Sequence, residues 1–133
     1  MAGAGAPGSR SHGGGLARLQ PLRVLVISPD RHFCTVMSLL LARRNYSVAT
    51  AASGGRVAEL IVSEGAGVVV MDASAPSSAA ALATIRALAR PVGVVLVTDE
   101  APGGPPDQRG LAKWGPFEDL VAAIEQADAR PGA

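Results

Sequence analysis

The sequence predicts an α/β fold, a five-stranded parallel sheet in the order 2-1-3-4-5 with helices on both faces. Three observations predict it. The runs Val68-Val69-Val70-Met71-Asp72 and Val92 to Thr98 are apolar and β-branched almost without a break, as strands covered on both faces are. Segments with apolar residues at helical spacing alternate with the strands, which requires crossover connections and hence a parallel sheet. The 133 residues are enough for one domain and not two, and 48% of them are apolar, so a core can form.

The first strand is Arg23 to Ile27. Ser28-Pro29-Asp30 starts a helix, with Ser28 suited to cap and Pro29 to the first helical position. Phe33, Val36, Met37 and Leu40 then recur at helical spacing, and Arg43, Arg44 and Asn45 close that helix. Tyr46 to Ala51 is the second strand. Ser53-Gly54-Gly55 turns into a helix with Val57, Leu60 and Ile61 on one face, ended by Gly65-Ala66-Gly67. The third strand is 68–72, followed by a helix over 77–90 with Leu82, Ile85 and Leu88 inward and Pro91 as its stop.

The fourth strand is 92–98. Between Ala101 and Arg109 lie three prolines (Pro102, Pro105, Pro106) and two glycines, and no stable helix survives that. Leu111 to Trp114 reads as a short fifth strand at an edge. The last helix runs from near Pro116 to Gln126, with Phe117, Leu120, Val121 and Ile124 inward. The solidly apolar first, third and fourth strands belong in the centre; the second, with Ser47 and Thr50, and the fifth belong at the edges. This is the flavodoxin-like order. The folded domain is 21–126. The Gly/Ala-rich residues 1–20 and the end, 127–133, are expected to be disordered tails, because they cannot bury enough surface to offset ordering entropy.

Composition narrows the function. A formal net charge of +1 gives no reason to expect nucleic acid or an anionic membrane as partner. A single cysteine, Cys34, excludes an internal disulfide, and its neighbours Phe33 and Val36 make it a small buried hydrophobe. No apolar run has the length of a membrane span, and the N-terminus has no apolar signal segment, so a cytoplasmic location is the expectation. A phosphate-binding Gly-x-x-x-x-Gly-Lys loop, a Gly-x-Gly-x-x-Gly turn and a Gly-x-Ser-x-Gly elbow are all missing.

Asp72 carries the chemistry. It ends a buried strand at the sheet's C-terminal edge, where ligands collect in open α/β sheets. Thr98 ends the fourth strand at the same edge. Lys113, the chain's one lysine, reads first as a solvated charge on the edge strand; its long stem could also reach back towards Asp72. His12 and His32 have no partners at metal-ligand spacing, and Asp99-Glu100 reads as a solvated loop.

With these residues in place, the chain resembles a response-regulator receiver domain over residues 22–126. The resemblance rests on Asp72 with Pro76 four residues on, Thr98 ending strand four, Gly54-Gly55 after strand two, and Pro116-Phe117 opening the last helix. It implies that Asp72 is the phospho-acceptor of a histidine kinase, Thr98 the switch hydroxyl and Pro116 a proline preceded by a cis bond. Two acids after strand one would bind Mg2+ together with Asp72. Here the acidic pair falls on Ser28 and Pro29, with Asp30 the nearby acid. The lysine position before the proline falls on Gly115, leaving Lys113 two residues earlier as the candidate phosphate contact, and an aromatic position falls on Ala112.

These departures point to an atypical, stand-alone pseudo-receiver without an output domain, acting as a signalling interaction module with no cofactor, no metal and no Mg2+-dependent phosphoryl switching. Its partner would be a protein, a histidine kinase or a separate output protein, bound through strand four, the Pro/Gly loop and the last helix. The alternative is a conventional receiver phosphorylated on Asp72 with Mg2+, an enzyme only in catalysing its own phosphorylation. A small-molecule binder at the sheet's C-terminal edge is a third reading.

Overall fold

The computed structural model describes residues 20–99 and 110–130. Strands β1 (Arg23–Ile27), β2 (Ser47–Ala51), β3 (Val68–Asp72), β4 (Gly93–Thr98) and β5 (Leu111–Ala112) form one sheet in the order β2-β1-β3-β4-β5, and every pair is parallel. The helices are α1 (Arg31–Arg43), α2 (Val57–Glu64), α3 (Ser78–Arg86) and α4 (Phe117–Ala129). The predicted order holds, and for the predicted reason: β1 and β3 lie inside the sheet and are buried almost end to end, whereas β2 is only half-buried. The stretch 101–109, with its prolines and glycines, lies outside the described residues, as do 1–19 and 131–133.

Alternate residues of each strand point to opposite faces, which divides the core in two. Val24, Val26, Val68, Val70, Val95 and Val97 meet Phe33, Met37 and Leu41 of α1 and Leu120, Val121 and Ile124 of α4. Leu25, Ile27, Val69 and Met71 meet Val57 and Ile61 of α2 and Ala81 and Ile85 of α3. Burying each of the larger side chains stabilises the fold by roughly 1.5–3 kcal/mol.

Several element ends differ from the sequence expectation. Asp30, not Ser28, caps α1: its Oδ1 accepts from Phe33 N at 3.1 Å, and the helix begins at Arg31. The Ser28 hydroxyl is drawn elsewhere, as described below. Helix α3 stops at Arg86, four residues short of Arg90. The residue before Pro91 is disfavoured in helical conformation, and Arg90 donates to Ala66 O at 3.0 Å, tying the connection down. Gly65 ends α2 as expected, in the left-handed conformation at φ 65°.

Strand β5 is only two residues long. Lys113 N still donates to Thr98 O at 2.8 Å, but Gly115 N then closes a turn on Ala112 O at 3.1 Å, so Trp114 leaves the sheet. No cis peptide occurs among the described residues, so the bond before Pro116 is trans and the cis-proline expectation is overturned. Helix α4 continues past Gln126 to Ala129. Gly93 explains the extension. A Cβ there would lie 2.4 Å from Ala127 O, so glycine lets the last turn of α4 lie directly on β4.

Candidate functional site

The C-terminal ends of β1, β3 and β4 and the turn after β5 bring one acid cluster together around one ammonium. Asp72 ends β3 and is fully buried. In register it pairs with Val97, which places Thr98 one residue further along the same edge. Ser28 follows β1, Asp30 caps α1, and Lys113 follows β5.

Every acceptor site of Asp72 is in use. Its Oδ1 accepts from Ser74 N at 2.9 Å and Ser74 Oγ at 2.8 Å. Its Oδ2 accepts from Ser28 Oγ at 2.6 Å and lies 3.0 Å from Lys113 Nζ. Four donors match the roughly four lone-pair sites of a carboxylate. The Ser28 hydroxyl in turn accepts from Asp30 N at 3.0 Å, so it joins the acid of β3 to the first turn of α1.

Lys113 is not a solvated edge charge. Its side chain is 5% exposed, and its Nζ stands 3.0 Å from both Asp72 Oδ2 and Asp30 Oδ2. The ring of Phe33 lies beneath the ammonium, 5.2 Å from centroid to Nζ, adding a cation–π contact. Asp99, expected in a solvated loop, has its Oδ1 3.6 Å from the same Nζ, although its side chain is 62% exposed; at that exposure the contact contributes little. Its neighbour Glu100 lies outside the described residues.

Charge and hydrogen bonding set the protonation states. Burial pushes the Asp72 carboxyl up, but the hydrogen bonds from Ser28, Ser74 and Lys113 outweigh it and hold the group below the ordinary range. Asp30 is lowered by the Phe33 N–H and then by Lys113. Burial lowers Lys113, and the two carboxylates more than reverse that. At neutral pH the centre is two carboxylates and one ammonium, with Asp72 and Lys113 buried and Asp30 at the edge of solvent.

Mg2+ takes oxygens in near-octahedral array at about 2.0–2.1 Å. Here the place between Asp30 and Asp72 is held by the Lys113 ammonium. Pro29 offers no side-chain donor, and the Ser28 hydroxyl spends its hydrogen on Asp72. No group of three or more His, Cys, Asp or Glu able to hold a metal ion occurs among the described residues.

The structure thus brings together Asp72, Ser28, Asp30 and Lys113. Pro116 stands apart at the start of α4, and His32 stacks on Trp114, ring centroids 5.6 Å apart, away from any ligand cluster. Cys34 is half-buried, its Sγ 3.5 Å from Ser28 O, where burial pushes the thiol up. Ser74 was missed. Its signal was the spacing Asp-x-Ser, since an aspartate at a strand end readily bonds the backbone and hydroxyl two residues on.

No family model matches the chain, and no curated protein matches it in sequence. Solved structures do match in fold, and many are response-regulator receiver domains. The beryllofluoride-activated N-terminal receiver domain of Klebsiella pneumoniae RstA superimposes with a TM-score of 0.69 at 17% identity, covering 81% of this chain and 99% of that one. A receiver domain from Clostridium thermocellum gives 0.67 at 22% identity, covering 82% and 95%. The Thermotoga maritima response regulator TrrA, solved with Mg2+ and beryllofluoride, gives 0.68 at 16% identity, covering 80% and 98%. The chain therefore has the receiver fold, similar to these proteins in architecture at low sequence identity. No helix among the described residues is long and apolar enough to cross a membrane.

Proposed function

We propose that the protein is a receiver-fold signalling module that binds a protein partner and is not switched by Mg2+-dependent phosphorylation of Asp72. The observation that carries this reading is the Lys113 ammonium, 3.0 Å from both Asp30 and Asp72. A receiver that uses a metal needs a cation between its acids to neutralise the incoming phosphoryl oxygens. Here the chain supplies a permanent cation of its own, and Asp72 has no free acceptor site for an attack. A phosphoryl donor would first have to displace Ser28, Ser74 or Lys113. Loss of one donor that stabilises the transition state costs on the order of 10²–10³ in rate. The module would then hold one conformation and bind its partner constitutively, whether that partner is a histidine kinase or a separate output protein.

The test is intact mass after incubation with a small phosphoryl donor and Mg2+. The expected result is an unchanged mass. A phosphoryl adduct that disappears in Asp72→Ala overturns the reading. A second readout is Trp114 fluorescence during Mg2+ titration: saturable quenching below about millimolar Mg2+, abolished by Asp72→Asn, contradicts the donor-set argument.

One observation favours the conventional alternative. Lys113 stands where a lysine could hold phosphoryl oxygens, although two residues, Trp114 and Gly115, separate it from Pro116. The TrrA structure, with Mg2+ and beryllofluoride bound, exemplifies that chemistry in a protein of the same fold. Under this alternative Ser28 would release Asp72, and Asp72 would accept the phosphoryl group with Thr98 as the switch hydroxyl. The same mass measurement separates the two.

A further inference from the structure

On the α1/α4 face, next to the acid site, a cavity of 260 Å3 opens between α1, β5 and α4. Val36, Met37 and Leu40 of α1 form one wall, and Leu111, Phe117 and Leu120 the other. Met37 and Leu120 are otherwise buried core residues, at 5% and 7% exposure. Protein interiors rarely leave voids larger than a water molecule. The local cause is visible in the sequence. The end of β5 and the turn after it bring Ala112 and Gly115 to the cavity wall, and between them they carry one methyl group.

The charges at the cavity are unevenly compensated. Lys113 lines it but spends its charge on Asp30 and Asp72. Glu118, next along α4, is paired with Arg44 at 2.6 Å. The Asp119 carboxylate also lines the cavity, is exposed, and has no ion-pair partner among the described residues. Its place in the first turn of α4 suits the helix dipole, an interaction that does not occupy it with a counter-ion. Trp114, 52% exposed, stands at the same mouth, its ring set edge-on to Phe33 at 5.3 Å.

We propose that this cavity is a ligand site for a small aromatic amine, the ring taken up by the apolar walls and the cationic group by Asp119. An apolar cavity of about 150 Å3 takes benzene, so 260 Å3 admits a single ring with a short side chain. An aromatic ring is matched by Trp114 and Phe117, and a positive group is matched by the one uncompensated charge. Lys113 lies in the wall, so the occupant bears directly on the residue that holds Asp72. The inference goes beyond the proposed function and stands whether or not Asp72 accepts a phosphoryl group.

The test titrates the full chain, without Mg2+ or phosphoryl donor, with 2-phenylethylamine, 2-phenylethanol and phenylacetate. Binding is read from Trp114 fluorescence, which is the only tryptophan signal. The amine is expected to bind saturably and the acid most weakly. Asp119→Asn should bring the amine to the level of the alcohol, a loss of about two- to fivefold. Val36→Phe, which fills the void from α1, should abolish binding of all three, and Leu40→Phe serves the same purpose if the first variant does not fold. No saturable change with any probe, phenylacetate binding as tightly as the amine, or undiminished binding to a folded cavity-filled variant each overturns the proposal. Because no phosphoryl chemistry is involved, this outcome is independent of the mass test above.

Discussion

On the α2/α3 face the sheet is covered by apolar, non-aromatic side chains, and α3 comes so close to the turn between β2 and α2 that a Cβ on Gly54 would lie 2.6 Å from Ala81 Cβ. On the α1/α4 face sit all four aromatic residues, Phe33, Tyr46, Trp114 and Phe117, together with the 260 Å3 cavity and, at its border, the Lys113 ammonium. That face is closed at one end and open at the other. Near the start of β4, Gly93 lets α4 touch the sheet, and Tyr46 donates to Glu125. Where α4 begins, the cavity opens beside β5, and the Arg44–Glu118 pair joins the end of α1 to the start of α4 at the surface. One sheet thus carries a face built for packing density and a face built around a charge and a void.

The largest effect is expected where the open face holds its buried charge. Lys113→Met leaves Asp72 buried without its counter-ion and should cost about 3–5 kcal/mol in urea unfolding. Adding Asp72→Asn should recover part of that loss. Equal destabilisation in the single and double variants would show that the ammonium acts by packing rather than by charge. Next, Ser28→Ala removes a hydrogen bond to a buried carboxylate and should cost about 1.5–3 kcal/mol by the same assay.

Added volume tests the faces directly. Gly54→Ala forces a methyl against Ala81 and should cost about 1–3 kcal/mol. Val36→Leu adds one methylene beside a void and should change stability by less than about 0.5 kcal/mol. A comparable loss at both sites would erase the distinction between closed and open faces. The smallest effect is the pH dependence. The carboxyls of Asp72 and Asp30 are lower in the folded chain than unfolded. Their contribution is therefore complete above the unfolded value, about 3.9, and is lost as pH falls through the folded values. Thermal melting from pH 7 downward should hold level to about pH 4 and then decline, and the decline should be shallower in Asp72→Asn.

The sheet order and the two apolar faces were legible because they depend on strand composition alone: valine runs in β1, β3 and β4 against Ser47 and Thr50 in β2. Asp72 was legible for the same reason, as the one carboxylate closing such a run. Lys113 was not. Counting back from Pro116 puts Gly115 in the lysine place, and only the turn from Ala112 to Gly115 carries the ammonium round to Asp72. Ser28 was misassigned because a hydroxyl before a helix suits a cap. That local preference lost to a buried carboxylate 44 residues away in sequence. The ends of α3 and α4 were misjudged where tertiary contacts, Arg90 on Ala66 and Ala127 on Gly93, set the boundary.

The chain order of the ion cluster also bears on its synthesis. Ser28, Asp30 and Asp72 emerge from the ribosome before Lys113, and with them the central strands β1 and β3, which pair in the finished sheet. A nascent chain at that stage would bring two acids towards each other with no cation between them. In chain order the ammonium arrives as a late counterweight, just after a strand of two residues. Closing the centre is then coupled to adding α4, which follows Lys113 by only a few residues. A chain released before Lys113 would carry an uncompensated acid at the middle of its sheet, a mark that distinguishes the unfinished molecule from the finished one.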